Sequence, residues 1–192
     1  ERESILTRDK LSEASLNVLS MTGREAKICS EQPEECVSEL KQIPQIQDEQ
    51  LLSTASELYL AKALSLEKSS ACKVSILAKT HSEEKQALQK QNYQNCLDQQ
   101  LGMLDKSIRY SYAYMFNTKR GPQDRIFDNR QVQLRDFYNQ AIAKLVNSYR
   151  LRHGPSEVGN QIKVGQSIYR INYDNYPLLK NRQVEQLMST YN

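Results

Sequence analysis

FDNRQVQLRDFYNQAIAKLV, residues 127–146, decides how the rest of the chain is read. Leu134, Tyr138, Ala141, Ile142 and Leu145 recur every three or four positions and Tyr149 extends the row, which is the period of one α-helical face. Asp128 or Asn129 suits the cap, because a short side-chain oxygen there accepts an amide hydrogen that has no partner within the helix. The apolar face is wide enough to demand burial, so this helix predicts a helical neighbour.

The neighbour lies just upstream. Thr80-His81-Ser82-Glu83 has the Thr-x-x-Glu form of a capping box, and Leu88, Leu97, Leu101, Leu104, Ile108, Tyr112 and Met115 keep near-helical spacing beyond it. At its end KSIRYSYAYMF, residues 106–116, alternates aromatics in a way that also suits a strand; the period running into it favours a helix. Gly121 and Pro122 in NTKRGPQD then break the chain. Helix 127–146 is expected to pack on this long helix.

Working outward, residues 3–22 read as a helix with Leu11, Ala14, Val18 and Met21 on one face and Gly23 as its stop. PEECVSELKQIP forms a shorter one: Pro33 suits the first turn, Glu34 and Glu35 complement the positive end of the dipole, and Pro44 closes it. Residues 48–67 repeat the pattern through Leu51, Ala55, Leu58, Tyr59, Lys62 and Leu66. Downstream, RHGPSEVGN is a surface loop. Ile162 to Val164 and Ser167 to Tyr173, separated by Gly165-Gln166, then carry the signature of a tight hairpin with Tyr169, Ile171 and Tyr173 on one side and Arg170 and Asn172 on the other. After Tyr176-Pro177, Leu179, Val184, Leu187, Met188 and Tyr191 suggest a final amphipathic helix.

The expected fold is therefore mainly α: an antiparallel helical bundle or irregular tetratricopeptide-like helix pairs, with a short C-terminal β-hairpin and a final helix. TASELYLAKAL and YNQAIAKLV carry small and aromatic residues at the spacing of such pairs, but no strict 34-residue period fits. Residues 1–153 form the helical domain, and 154–192 a loop, hairpin and helix that lead toward a further domain. With 192 residues and 39% hydrophobic content the chain can bury one ordinary core or two small ones.

Charge is unevenly spread. Residues 1–100 hold 12 basic and 16 acidic side chains and residues 101–192 hold 14 and 7, so the halves stand at −4 and +7. The basic residues of the second half are dispersed and several sit near acids, which describes a solvated surface better than a nucleic-acid face. No stretch approaches the ~18 apolar residues that cross a bilayer. The chain starts at Glu1 rather than Met, which is compatible with export.

Cys29, Cys36, Cys72 and Cys96 form an even set with three possible connectivities. Pairing Cys29 with Cys36 and Cys72 with Cys96 is favoured, since each bridge would tie a helix edge to its connecting loop. Such bonds belong in an oxidising space such as a periplasm. The alternative is four reduced thiols. A zinc site fits poorly: short Cys-x2-Cys pairs are missing, and His81 and His153 are distant in sequence.

No catalytic signature emerges. VGQSI, residues 164–168, has the wrong glycine pattern for a nucleophile elbow, and neither a Gly-rich phosphate loop nor a His-Glu-x-x-His helix is present. Oxidised thiols cannot act as nucleophiles with either histidine. Asp98 with Asp105, and Asp124 with Asp128, read as surface charge beside compensating Lys and Arg. Neither a cofactor nor a metal is expected.

RESILTRDKLSEASLNVLSMTGRE (2–25), DEQLLSTASELYLAKA (48–63), LDKSIRYSYAYMF (104–116), RIFDNRQVQLRDFYNQAIAKLV (125–146) and KVGQSIYRINYDNYP (163–177), with YNQA the most specific part, resemble the N-terminal helical region of large α/β-hydrolase-like proteins of the Gram-negative cell envelope. The resemblance implies a helical region ahead of an esterase- or lipase-like domain that carries a serine nucleophile. No catalytic residue carries over, because the nucleophile elbow and its Asp and His have no counterpart in these residues. It further implies a periplasmic or outer-envelope location and partnership with the chain's own C-terminal domain or another envelope protein. Membrane association would need an anchor outside these residues, and nucleic acid is not an expected partner. A free-standing interaction module with a groove between helices is the alternative. Tyr110, Tyr114, Arg125, Arg130 and Arg135 are the candidate binding residues, as aromatic and cationic groups near the turn between the two long helices.

Overall fold

The computed structural model describes residues 10–73, 82–116, 129–154 and 160–170, with the backbone of Met188 and Ser189. It is mainly helical. Among these residues the elements are α1 (Glu13–Ser20), α2 (Ala26–Glu31), α3 (Pro33–Leu40), α4 (Asp48–Lys68), a 3-10 turn (Ser70–Cys72), α5 (Glu83–Met115), α6 (Asn129–His153), β1 (Gln161–Val164), β2 (Ser167–Arg170) and β3 (Met188–Ser189). They fall into two compact units, one of Glu1–Lys62 and Lys106–Ala141, the other of Ala63–Asp105 and Ile142–Asn192. Each of the three long helices gives residues to both.

In the first unit, residues 10–12 of the expected helix 3–22 are not helical, and its residues 3–9 lie outside the described residues. Ser12 is extended and its hydroxyl accepts from the Ser15 amide, satisfying a first-turn donor. The helix buries Ser15, Val18 and Leu19, whereas Ala14 and Met21, expected on the inner face, are exposed. Gly23 adopts φ 72 and ends the turn as expected, in a region where only glycine is unstrained. The six-residue α2 is too short to show a period and was not foreseen. Pro33 stands at the start of α3, and the disulfide Cys29–Cys36, with Cα atoms 5.5 Å apart, ties α2 to it.

Helix α4 was expected to bury one stripe, yet every residue from Ser53 to Leu60 is buried. A helix enclosed on all sides forms the centre of a core rather than its edge. Small side chains permit this: Ser56 donates from its hydroxyl to the Ser107 carbonyl at 2.9 Å, and Ser107 donates back to the Ser56 carbonyl at 2.8 Å. Leu58, Leu60, Leu134, Phe137 and Ile108 are buried in the same unit. Truncating one such leucine to Ala would cost about 2–5 kcal/mol.

In the second unit, α5 begins at Glu83. Ser82 serves its first turn, accepting from the Lys85 amide at 3.4 Å, while Thr80 of the expected capping box lies outside the described residues. Leu88 is exposed, while Tyr93, Cys96, Leu97, Leu101 and Leu104 are buried. The disputed stretch 106–116 is helical up to Met115, in agreement with the period reading. Here α6 packs antiparallel on α5, as expected: Ser148 donates to Gln100 at 3.4 Å and Arg152 meets Asp98 at 2.8 Å. Its buried face includes Ile142, Leu145 and Val146.

The hairpin forms with Val164 opposite Ser167, leaving Gly165 and Gln166 as its two-residue turn, and Gly165 takes φ 58. Ile162 and Tyr169, paired across the strands, are both fully buried, while Arg170 is exposed. Tyr169 donates its hydroxyl proton to the buried carboxylate of Asp105, which anchors the hairpin to α5. The helix expected after Pro177 and the side chains of Ile171 and Tyr173 lie outside the described residues. Met188 and Ser189, at the far end of that stretch, are extended and pair with β2.

Candidate functional site

The described candidates among the five binding residues, Tyr110, Tyr114, Arg130 and Arg135, all belong to the first unit; Arg125 lies outside the described residues. Arg130 and Tyr110 take different partners. Arg130, near the start of α6, turns inward to a carboxylate that sequence reading missed, Glu57 of α4, only 1% exposed. Its Nη1 lies 3.1 Å from Glu57 Oε1 and 2.9 Å from Ser12 Oγ, and its Nη2 donates to Ser15 Oγ at 2.8 Å. Both serine hydroxyls donate to Glu57 Oε1, at 2.6 and 2.8 Å, and the Ser12 amide donates to Oε2. The carboxylate thus receives donors from α1, its cap and α6.

Burying an ion pair costs several kcal/mol of desolvation per charge, which is recovered only when every lone pair and proton finds a partner. Glu57 draws four donors toward that end, three on Oε1 and one on Oε2. The sequence offered little sign of this: Glu57 shares the run TASELYLAKAL with Lys62, and its actual partner, 73 residues on, could not be read from spacing.

Tyr110 lies elsewhere. Its ring stacks on Tyr59 with centroids 5.7 Å apart and planes 8° apart, and each ring carries a lysine ammonium: Lys106 over Tyr59 at 5.4 Å and Lys41 over Tyr110 at 5.9 Å. Glu34 of α3 closes this group, accepting from the Tyr59 hydroxyl at 2.8 Å and from Lys106. Burial, helped by Tyr110, pushes the Tyr59 phenol up to about 12. Burial and then the neighbouring Arg109 lower Lys106. Tyr114, one turn further along α5, is buried, and Arg135 is exposed.

Beside Glu34 runs an open groove of about 590 Å³ lined by Arg24, Glu34, Glu35, Ser38, Glu39 and Gln42. Its acids are already matched: Arg24 reaches Glu39 at 2.5 Å and Glu35 at 3.6 Å, and Glu34 is held as described. Tyr112, Phe116 and Tyr138 form a second aromatic group, with burial and then Tyr112 raising Tyr138 to about 12.

The chemistry these groups can support is recognition and cohesion. Both expected disulfides, Cys29–Cys36 and Cys72–Cys96, are closed, so none of the four sulfurs is a thiolate nucleophile. His81 lies outside the described residues, and His153 packs its ring on Tyr149 at 4.5 Å. Of the acids read as surface charge, Asp98 is an exposed partner of Arg152, but Asp105 is buried beneath Tyr169, and Asp124 and Asp128 lie outside the described residues. Among the described residues no group of three His, Cys, Asp or Glu side chains is arranged to hold a metal, and no helix is long and apolar enough to cross a membrane.

No family model, curated protein or solved structure matches this chain.

Proposed function

We propose that this chain is a helical scaffold, the accessory domain of an exported serine hydrolase acting on ester or lipid substrates, with its chemistry supplied by a neighbouring domain. The observation that carries the scaffold reading is the Glu57–Arg130 network. A charged pair that an active site would expose to substrate is instead saturated by Ser12 and Ser15 and sealed between three helices. The link to a hydrolase rests on the resemblance of the five segments quoted above. Two closed disulfides suit an oxidising compartment and support an envelope location.

A second reading, a free-standing envelope module that binds a protein or peptide, draws on the polar groove along α3. The coding sequence beyond Asn192 separates the two. A strand-rich continuation containing Gly-x-Ser-x-Gly supports the accessory domain, and a stop codon supports the module. Both expect the purified chain to leave p-nitrophenyl butyrate intact; ester cleavage abolished by one substitution within these residues contradicts both. Thiol titration of the unfolded, unreduced protein should find no free sulfhydryl, and four would remove the case for export.

A further inference from the structure

The two disulfides differ in surroundings. Cys29 and Cys36 are both fully buried, each in a helix, so a reagent reaches their sulfurs only after α2 and α3 part. Cys72 ends the 3-10 turn, is partly exposed and stands between exposed Ala71 and Lys73, whereas its partner Cys96 is 6% exposed on α5. Exchange needs a thiolate to approach one sulfur while the other departs as an anion, so access on one side and stabilisation on the other favour reaction.

The buried side is equipped for that departure. Ser69 Oγ lies 3.5 Å from Cys96 Sγ while its proton is directed to the Leu66 carbonyl at 2.6 Å. The Leu66 carbonyl itself is 3.9 Å from Cys96 Sγ. A hydroxyl rotates at little cost, so Ser69 can transfer its hydrogen bond from Leu66 to a thiolate at Cys96. Once Cys96 takes up a proton, the thiol can donate to the Leu66 carbonyl that Ser69 has released.

We propose that Cys72–Cys96 is a thiol-exchange site, opened by a dithiol while the chain stays folded, with Ser69 as the positioning residue that receives Cys96 as leaving thiolate. One thiolate of the dithiol attacks Cys72 Sγ; the new S–S bond forms as the Cys72–Cys96 bond breaks, and the electron pair leaves on Cys96. The second thiolate of the reagent then attacks its own linked sulfur, expelling the Cys72 thiolate and closing the dithiol into a cyclic disulfide. Two electrons have passed from the dithiol to the protein, and solvent returns the protons. This holds whether or not the chain serves a hydrolase.

The test treats the native protein with dithiothreitol, quenches with an alkylating agent at intervals, and follows each cysteine by peptide mass spectrometry beside far-UV circular dichroism. Cys72 and Cys96 are expected to be labelled at least about tenfold faster than Cys29 and Cys36, with helical signal retained. Ser69→Ala should slow opening of this bond several-fold and shift the pH profile of Cys96 alkylation upward. Ser69→Thr should restore both, and Cys29–Cys36 serves as the internal control for folding. Equal rates at the two bonds, reduction only in step with loss of helix, or an unchanged Cys96 profile in Ser69→Ala would overturn the proposal.

Discussion

The two units use the same three long helices and hold them by different means. In the first, the middle of α4 is buried on all sides and its buried carboxylate, Glu57, is satisfied from α1 by Ser12 and Ser15 and from α6 by Arg130. In the second, the corresponding links between helices are at the surface, Lys144 with Glu67 and Arg152 with Asp98, both at 2.8 Å and both substantially exposed. Each unit carries one disulfide, Cys29–Cys36 in the first and Cys72–Cys96 in the second, and the second adds a hairpin anchored by Tyr169 on Asp105. Among the described residues the first unit thus buries a charged pair at its centre, whereas the salt bridges of the second lie at its surface.

The largest break in that comparison should come from Arg130→Ala. It strands Glu57 as an uncompensated buried charge, and we expect a loss of about 3–5 kcal/mol, with faster amide exchange in α1 measured by mass spectrometry.

The disulfides come next. The chain-entropy relation gives about 3.5 kcal/mol for Cys72–Cys96, spanning 24 residues, and about 2.5 kcal/mol for Cys29–Cys36, spanning 7. Denaturant titration of Cys72→Ser/Cys96→Ser and Cys29→Ser/Cys36→Ser should rank them in that order.

Alkali probes the first unit's aromatics. Tyr59 and Tyr138, raised to about 12, keep their protons in the fold after the unfolded chain has begun to lose them near pH 10. Their contribution is complete below pH 10 and is lost as pH rises toward 12. Lys106, lowered by burial and Arg109, acts in the opposite direction, because the fold sheds that proton before the unfolded chain does. Thermal melts between pH 9 and 12 should therefore fall, and Tyr138→Phe should fall less steeply.

The smallest effect belongs to the surface links: Lys144→Ala should change stability by less than about 1 kcal/mol and become indistinguishable from the parent in high salt.

What the sequence disclosed follows from the range of each interaction. Helices 48–67 and 127–146 and the hairpin were legible because period and turn chemistry are local, and the cysteine pairs because each closes a short loop. Ends were less so: α1 starts at Ser12 and α5 at Ser82 because several Ser and Thr compete for each cap and packing decides among them. The stripe of α4 was legible but its enclosure was not, since Ser53, Thr54, Ser56 and Glu57 off that stripe are buried although polar, and Leu88 sits on a helical row without being buried. Arg130 was singled out as a cation for a ligand, but its partner is brought in by tertiary folding from α4, and no spacing rule reaches that far.

The most direct measurement is a double-mutant cycle on Glu57→Gln and Arg130→Met by urea denaturation. If the network is the clamp of the first unit, the two changes are strongly coupled, by about 2–4 kcal/mol, with the double variant more stable than the sum of the singles implies. Additivity within about 0.5 kcal/mol would show that Glu57 and Arg130 do not hold the helices together and would contradict the account.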